Sequence, residues 1–476
     1  MPSDPPGDRA RDLAERRDWA GLWQLARELP VIEAATALRL IDDDWRPPTD
    51  AGRSLRSRLA GVSPGALARE RAALRPGPCS LHRDAIPTAC CFSADGRTLV
   101  VASEPRSEPG TGMAGVPWDM RDNGPTQAGF PLWTVLALPD GSEVSRRRRF
   151  RFAHTSSLAV ADGTVFGVSC RPPHWERQHL LRQEPGDRVR HRERLSGSAR
   201  LFPSRDGFVL GHHARDGQPR LRRYDQAGNL TSETALPAGE PGDVVRLLAV
   251  NPANGHLAVE TRVARAGAGR DRVPVVPTPG RLWLLGSDGR EVLASSPVQE
   301  LDINIPASFL AEDRLITTQW GVLTLWGVTG SALEPIATRP EFVDAAPSPT
   351  RARIVARALR KEDGGLVRAR CHLDPQTLHC DFEIPEPDRN PTQYLWRSPL
   401  PAGPLVLGNE EGFTIVPDTA EAAAVADRPP ASWVPADLAA VASVAGSSSL
   451  PQPGRELLTL LHQWLRYQLG EDAASG

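Results

Sequence analysis

A unit of two hairpins, repeated along the middle of the chain, restricts the fold more than any other feature. In each copy an apolar run, a turn and a second apolar run follow one another. The copies are "TACCFSADGRTLVVAS" (88–103), "SSLAVADGTVFGVS" (156–169), "SARLFPSRDGFVLGHH" (198–213) and "VRLLAVNPANGHLAVETR" (245–262). "ASFLAEDRLITTQ" (307–319), "VDAAPSPTRARIVARAL" (343–359) and "LWRSPLPAGPLVLGNEEG" (395–412) complete the series. Most turn on Asp-Gly, Asn-Gly or proline, residues that reverse an extended chain at little steric cost. From Thr88 to Leu395 the average spacing is about 51 residues. A second hairpin sits inside most intervals: "LWTVLALPDGSEV" (132–144), "LRRYDQAGNLTSE" (221–233), "LWLLGSDGREVLA" (282–294), "LTLWGVTGSALEP" (323–335) and "ARCHLDPQTLHCD" (369–381). Two hairpins make four strands per repeat, and four-stranded units at this spacing predict a β-propeller. Seven copies predict seven blades.

The flanks follow a different period. Trp19, Leu22, Trp23, Ala26 and Leu29 fall on one helical face, and Pro30 ends that helix. "VIEAATALRLIDDDW", "TDAGRSLRSRLAG" and "GALARERAALR" predict further short helices, the last opened by Ser63-Pro64. Near the other end, "GRELLTLLHQWLRYQLG" places Leu457, Leu458, Leu461, Trp464, Leu465 and Leu469 on one broad apolar face. The expected fold is mainly β, a seven-bladed propeller with an N-terminal α-helical module and a short C-terminal helical tail. The expected division is a helical module over 1–77, a propeller over 78–430 and a helical tail over 431–476. Stripes containing tryptophan cannot stand in water, so the terminal helices are expected to pack on each other or on a face of the propeller.

"CFSADGRTLVVAS" resembles the first two strands of a WD40-type blade, and "RLWLLGSDGREV" resembles its last two. The chain is thereby similar, over about 86–420, to divergent bacterial WD40-like β-propeller repeats of the actinobacterial type, with flanking helices. Most copies lack the Gly-His and Trp-Asp dipeptides of strong repeats, and His154 in "FAHTSS" comes nearest to the expected histidine. The resemblance implies protein binding, in a bacterial signalling or conflict system.

Charge and composition exclude several classes. The net charge of −2 gives no general attraction to nucleic acid or to acidic membranes. Lys361 is the only lysine, which fits a GC-rich codon bias of the actinomycete kind. "MPSDPPGDRARDLAERRDW" has no apolar core, so no secretory signal is expected, and no window approaches a membrane span. Six cysteines in 476 residues make no disulfide framework, so reduced thiols in the cytoplasm are expected.

Several local patterns invite a site. "CHLDPQTLHC" (371–380) offers two cysteines and two histidines. Pairing Cys371 with Cys380, His372 with His379 and Leu373 with Leu378 would put the cysteines on one face and the histidines on the other. Four ligands on opposite faces cannot meet one zinc, so the segment is expected to be a plain turn. "CRPPHWERQH" supplies Cys170, His174 and His179, with His191 beyond, but its spacing matches no zinc module and a loop is expected. His212 and His213 are adjacent on a strand and point apart. "GTGMAG" (110–115) lacks the helix a dinucleotide site needs, and "GVSPG" (61–65) lies between helices rather than on a nucleophile elbow. "RRRRFRF" (146–152) is expected to be a charged outer strand rather than a phosphate-contacting strip.

No paired carboxylates, nucleophile–base motif or phosphate loop survives. The expectation is a non-catalytic scaffold for protein partners, with no catalytic, cofactor-binding or metal residues, no cofactor and no membrane or nucleic-acid partner. The alternative is a propeller enzyme, a hydrolase or lyase with a central-channel site. It would gather ionisable side chains from several blades around one pocket.

Overall fold

The computed structural model describes residues 6–74, 78–79, 85–93, 98–105, 132–137, 143–148, 154–171, 174–184, 189–204, 206–213, 217–237 and 244–262. Beyond these it describes 279–299, 307–319, 321–362, 365–385, 394–397, 405–409, 412–416, 419–445 and 454–470. The chain divides into two units. One comprises Met1–Pro76, Ser348–Arg353 and Val416–Gly476, and the other Gly77–Pro347 and Ile354–Ile415.

The first unit is helical. Its N-terminal part holds α1 (Pro6–Glu15), α2 (Trp19–Ala26), α3 (Val31–Leu38), α4 (Asp50–Gly61) and α5 (Pro64–Leu74). Its C-terminal part holds α6 (Thr419–Ala426), α7 (Pro435–Ala445) and α8 (Arg455–Gln468), so the chain turns helical before residue 431. Asp18 and Thr49 cap α2 and α4, accepting hydrogen bonds from the amides of Gly21 (2.8 Å) and Gly52 (3.1 Å). The two tryptophan-bearing stripes meet in one core that includes Leu22, Trp23, Leu59, Leu67, Leu457, Leu461 and Trp464. Trp464 meets Trp433 edge-on at 5.7 Å, and Trp23 meets Tyr467 at 6.3 Å. Of the two arrangements open from sequence, the terminal helices pack on each other.

Among the described residues the second unit is all β. It opens with β1 (Pro78–Cys79), followed by β2 (Ala85–Phe92), β3 (Thr98–Pro105), β4 (Leu132–Ala137) and β5 (Glu143–Arg148). Next come β6 (His154–Ala161), β7 (Thr164–Arg171), β8 (His174–Gln183) and the long β9 (Arg190–Ser204). Then follow β10 (Gly207–His213), β11 (Pro219–Tyr224) and β12 (Leu230–Ala235). The next meander is β13 (Val244–Val250), β14 (Leu257–Arg262), β15 (Pro279–Leu285) and β16 (Val292–Gln299). After it come β17 (Ser308–Ala311), β18 (Arg314–Gln319), β19 (Val322–Thr329) and β20 (Ala332–Pro340). The last strands are β21 (Phe342–Pro347), β22 (Ile354–Glu362), β23 (Gly365–Leu373), β24 (Cys380–Pro385), β25 (Tyr394–Arg397), β26 (Leu405–Asn409) and β27 (Gly412–Val416).

Successive strands pair into antiparallel meanders: β2-β3-β4-β5, β13-β14-β15-β16, β17-β18-β19-β20 and β21-β22-β23-β24. In the sheet from β6 to β12, β9 is shared, pairing β8 through its first half and β10 through its second. The meander β25-β26-β27 is completed by β1, brought from the other end of the unit, with Pro78 opposite Thr414. The first strands of neighbouring meanders touch in a cycle: β2 with β6, β6 with β9, β9 with β13, β13 with β17, β17 with β21, β21 with β25, and β25 with β2. Four-stranded meanders arranged around their own first strands are the architecture of a β-propeller.

The apolar runs follow from this packing. A strand between two neighbouring meanders buries both faces, so it loses the apolar–polar alternation of a half-exposed strand. In β3, Val100 and Ala102 pack toward the β6–β8 meander, while Leu99 and Val101 join Val406 and Ile415. In β10, Phe208 and Leu210 face one neighbour and Val209 the other. Turn chemistry fits as well: Asp162 and Gly163, at φ 43° and 71°, close the β6–β7 hairpin. On β7, Gly167 leaves room for the Trp133 indole, which a Cβ would meet at 2.3 Å.

Two meanders carry the same polar anchor. Trp283 stands opposite Val259 and donates from Nε1 to the hydroxyl of Thr261, two residues on, at 2.9 Å. Trp326 stands opposite Leu315 and donates to Thr317, again two residues on, at 2.8 Å. Each bond satisfies an indole N–H that packing would otherwise leave dry.

Candidate functional site

The β23–β24 hairpin does not take the register expected from its symmetry. Leu373 pairs with Cys380, His372 with Phe382 and Cys371 with Glu383, leaving Asp381 as an extra residue. The turn is the cause. The Asp374 carboxylate accepts from the amides of Gln376 (2.9 Å) and Thr377 (2.8 Å) and from the Thr377 hydroxyl (2.8 Å). Leu378 adopts φ 59°, which turns its side chain into the core. The loop is thus longer than the expected Asp374–Thr377 turn, and β24 begins later.

The bulge at Asp381 has a chemical consequence. Residues three apart on a regular strand point to opposite faces, but one extra residue restores them to the same face. Cys371, Cys380 and Glu383 therefore share a face, and their ligand atoms all lie within 4.8 Å of one another. The cysteines share a face as expected, and His372 lies on the other, stacked on Phe382 at 4.2 Å. Arg360 on β22 completes the cluster. Its Nη2 lies 2.8 Å from Glu383 Oε2 and 3.6 Å from Cys371 Sγ, and its Nε lies 3.3 Å from Glu341. Burial first, and the neighbouring Cys380 next, push the Cys371 thiol up to about 12. Sequence reasoning missed Glu383 because only the bulge puts it there; the "HCDFE" run carries no signal of that bulge.

The segment expected as a loop beside Cys170 is instead paired strand. Residues 174–183 form β8, whose polar composition hid it, and His179 there meets His191 of β9. Their Nδ1 and Nε2 lie 3.0 Å apart, so one ring donates and the other accepts. Burial first, then His191 and Arg194, hold His179 below the ordinary histidine value. Cys170 is buried and does not join this pair in a three-ligand group; the His174 side chain lies outside the described residues.

Two ionisable groups on first strands are engaged across their own hairpins. Arg246 on β13 stands opposite Glu260 on β14 at 2.6 Å. Asp344 on β21 stands opposite Arg357 on β22 at 3.9 Å. A cavity lined in part by Arg200, His212 and Arg246 measures about 20 Å³, room for about one water. His212 is buried, and Nδ1 contacts the His213 carbonyl at 3.1 Å; His213 contacts the Val245 carbonyl at 3.1 Å.

The remaining motifs are placed as follows. Arg146–Arg148 end β5, the edge strand of its sheet, and residues 149–152 lie outside the described residues, as does "GTGMAG" (110–115). "GVSPG" joins α4 to α5. Among the described residues, no helix is long and apolar enough to cross a membrane.

No family model and no curated protein matches the chain. A solved structure described as "Structure of Dos1 propeller" is similar at 10% identity, covering 73% of this chain and 95% of that one, with a TM-score of 0.42. At that overlap the likeness adds nothing to the fold, which stands on strand pairing.

Proposed function

We propose that the β unit is a seven-bladed, WD40-like propeller and that the protein is a non-catalytic scaffold binding protein partners. Support for the count is the cycle of first-strand contacts, together with the strand β1 that completes the last meander. Support for repeat kinship is the Trp–Thr anchor at the same register in two meanders.

One observation carries the non-catalytic reading. Arg246 and Asp344, ionisable groups of the innermost strands, are each matched to a directly opposed partner within their own hairpin. Arg246 does share a cavity with Arg200 and His212, but at about 20 Å³ it holds about one water, whereas a catalytic channel would aim such groups at a pocket large enough for substrate. Protein partners reached in the cytoplasm belong to the same reading, on the cysteine usage, and a bacterial signalling or conflict setting rests on resemblance alone.

The test is affinity capture of the tagged full chain from its native host, followed by mass spectrometry and reconstitution of the purified pair. The expected result is a specific protein that co-elutes with the chain. Repeated failure to recover one, together with turnover in a broad hydrolase and lyase screen, would replace the scaffold by the enzyme.

A further inference from the structure

The thiol and carboxylate cluster of the β23–β24 hairpin has the dimensions of a metal site. A tetrahedral zinc with sulfur at about 2.3 Å and a carboxylate oxygen at about 2.1 Å holds those two atoms about 3.6 Å apart. The distance from Cys371 Sγ to Glu383 Oε2 is 3.6 Å. Cys380 Sγ lies within 4.8 Å of both, so roughly an ångström of side-chain adjustment closes the set.

We propose that this hairpin binds one soft divalent cation of the zinc type, held by Cys371, Cys380 and Glu383. The site is independent of the scaffold reading. It departs from the expectation of a metal-free chain because the third ligand is Glu383, brought in by the bulge, and not a histidine. Thiolate ligands select zinc, cobalt or cadmium over magnesium and calcium. Cys371 is buried, Cys380 half-buried and Glu383 exposed, so the cation enters from the Glu383 side and keeps its fourth position open there.

Arg360 supports the site. A divalent cation with two thiolates and one carboxylate leaves one negative charge, which the guanidinium offsets while keeping its hydrogen bond to Glu383. The Asp374 turn fixes the hairpin before any cation arrives, so little ordering remains to oppose binding.

The test uses the full chain, reduced with a phosphine, stripped by chelator and titrated with Co²⁺ alone. The expected result is one cobalt per chain with a thiolate-to-cobalt charge-transfer band, displaced stoichiometrically by Zn²⁺ and untouched by Mg²⁺. Cys380→Ser, at a half-buried position, abolishes the band. Glu383→Gln weakens affinity by about 10- to 100-fold. His191→Ala, in the other candidate pair, leaves the band unchanged. Absence of the band in wild-type chain with its thiols shown to be reduced overturns the proposal, as does a band that persists in Cys380→Ser. A cross-linked peptide joining Cys371 to Cys380 under oxidised glutathione, with no cobalt band after reduction, assigns the pair to a disulfide and overturns it equally.

Discussion

The helical unit keeps one continuous core to which both ends of the chain contribute, whereas the β unit divides its core into clusters, each between neighbouring meanders. In the β unit, partners in a cluster come from adjacent repeats; the exceptions are the strand and cluster that close the ring. In the helical unit, Trp23 packs on Tyr467 across nearly the whole chain. A repeat array gathers stability in local, similar increments, while a core built from both termini depends on each end being present. Damage should therefore spread through the helical unit and stay local in the β unit.

The largest effect is expected from deleting residues 455–476. This removes Leu457, Leu461 and Trp464, side chains whose loss costs roughly 2–5 kcal/mol each, against a typical domain stability of about 5–15 kcal/mol. Residues 6–74 should become protease-sensitive and tryptophan emission should shift to the red, while peptides from the β meanders stay protected. Limited proteolysis read by mass spectrometry checks this, and equal protection of residues 6–74 would erase the contrast between the units.

Next comes a buried ion pair in each unit. In the helical unit, Arg353 and Asp437 are fully buried at 2.6 Å, and Arg428 engages the same carboxylate. Asp437→Ala removes the carboxylate that both arginines share and should cost about 3–5 kcal/mol in urea unfolding. It should also raise trypsin cleavage at Arg351 and Arg353, because this pair, together with the hydrogen bonds from Thr350 to Glu421, holds Ser348–Arg353 in that unit. Glu260→Ala removes the carboxylate opposite Arg246 at similar cost but should leave residues 348–353 resistant.

Smaller losses test additivity. Trp283→Phe and Trp326→Phe each remove an indole N–H and leave a threonine hydroxyl unmatched, for roughly 1–3 kcal/mol. The two sites pack in different clusters, so the double variant should equal the sum within about 0.5 kcal/mol. A larger discrepancy would mean that the meanders are not independent increments.

The smallest effect is the pH dependence that Glu421 contributes in the helical unit. Burial raises the pKa of Glu421 above the ordinary glutamate value, against the hydrogen bonds from Thr350 and Ser348 and the charge of Arg353. Between about 4.3, the usual value, and the raised one, the folded state holds more protons than the unfolded state. Stability therefore falls as pH rises through that window and is level above it. Glu421→Gln should match wild type below about pH 4 and exceed it at neutrality, checked by thermal melts across pH.

Particular elements show what was legible. The Asp-Gly turn of 162–163 and the apolar runs of β3 and β10 were readable because turn residues and two-sided burial leave marks on adjacent positions. β8 was not, because "HWERQHLLRQ" carries polar residues that mimic a loop, and its pairing is supplied by β7 and β9. The hairpin at 371–380 was legible as a turn with its cysteines on one face. Its register was not, because the Asp374 hydrogen bonds and the left-handed Leu378 lengthen the loop beyond what residue symmetry suggests.

The sequence by itself determined where most strands and helices form, β8 and α6 excepted, and that the β repeats come in four-stranded units, since period, turn chemistry and spacing are local properties. Tertiary structure alone decided which distant segments meet: α8 against α4 and α5, β1 beside β27, Arg353 against Asp437, and Glu383 beside two thiols. Those encounters depend on chain closure and on one extra residue in a strand. Neither leaves a periodic trace in the order of amino acids.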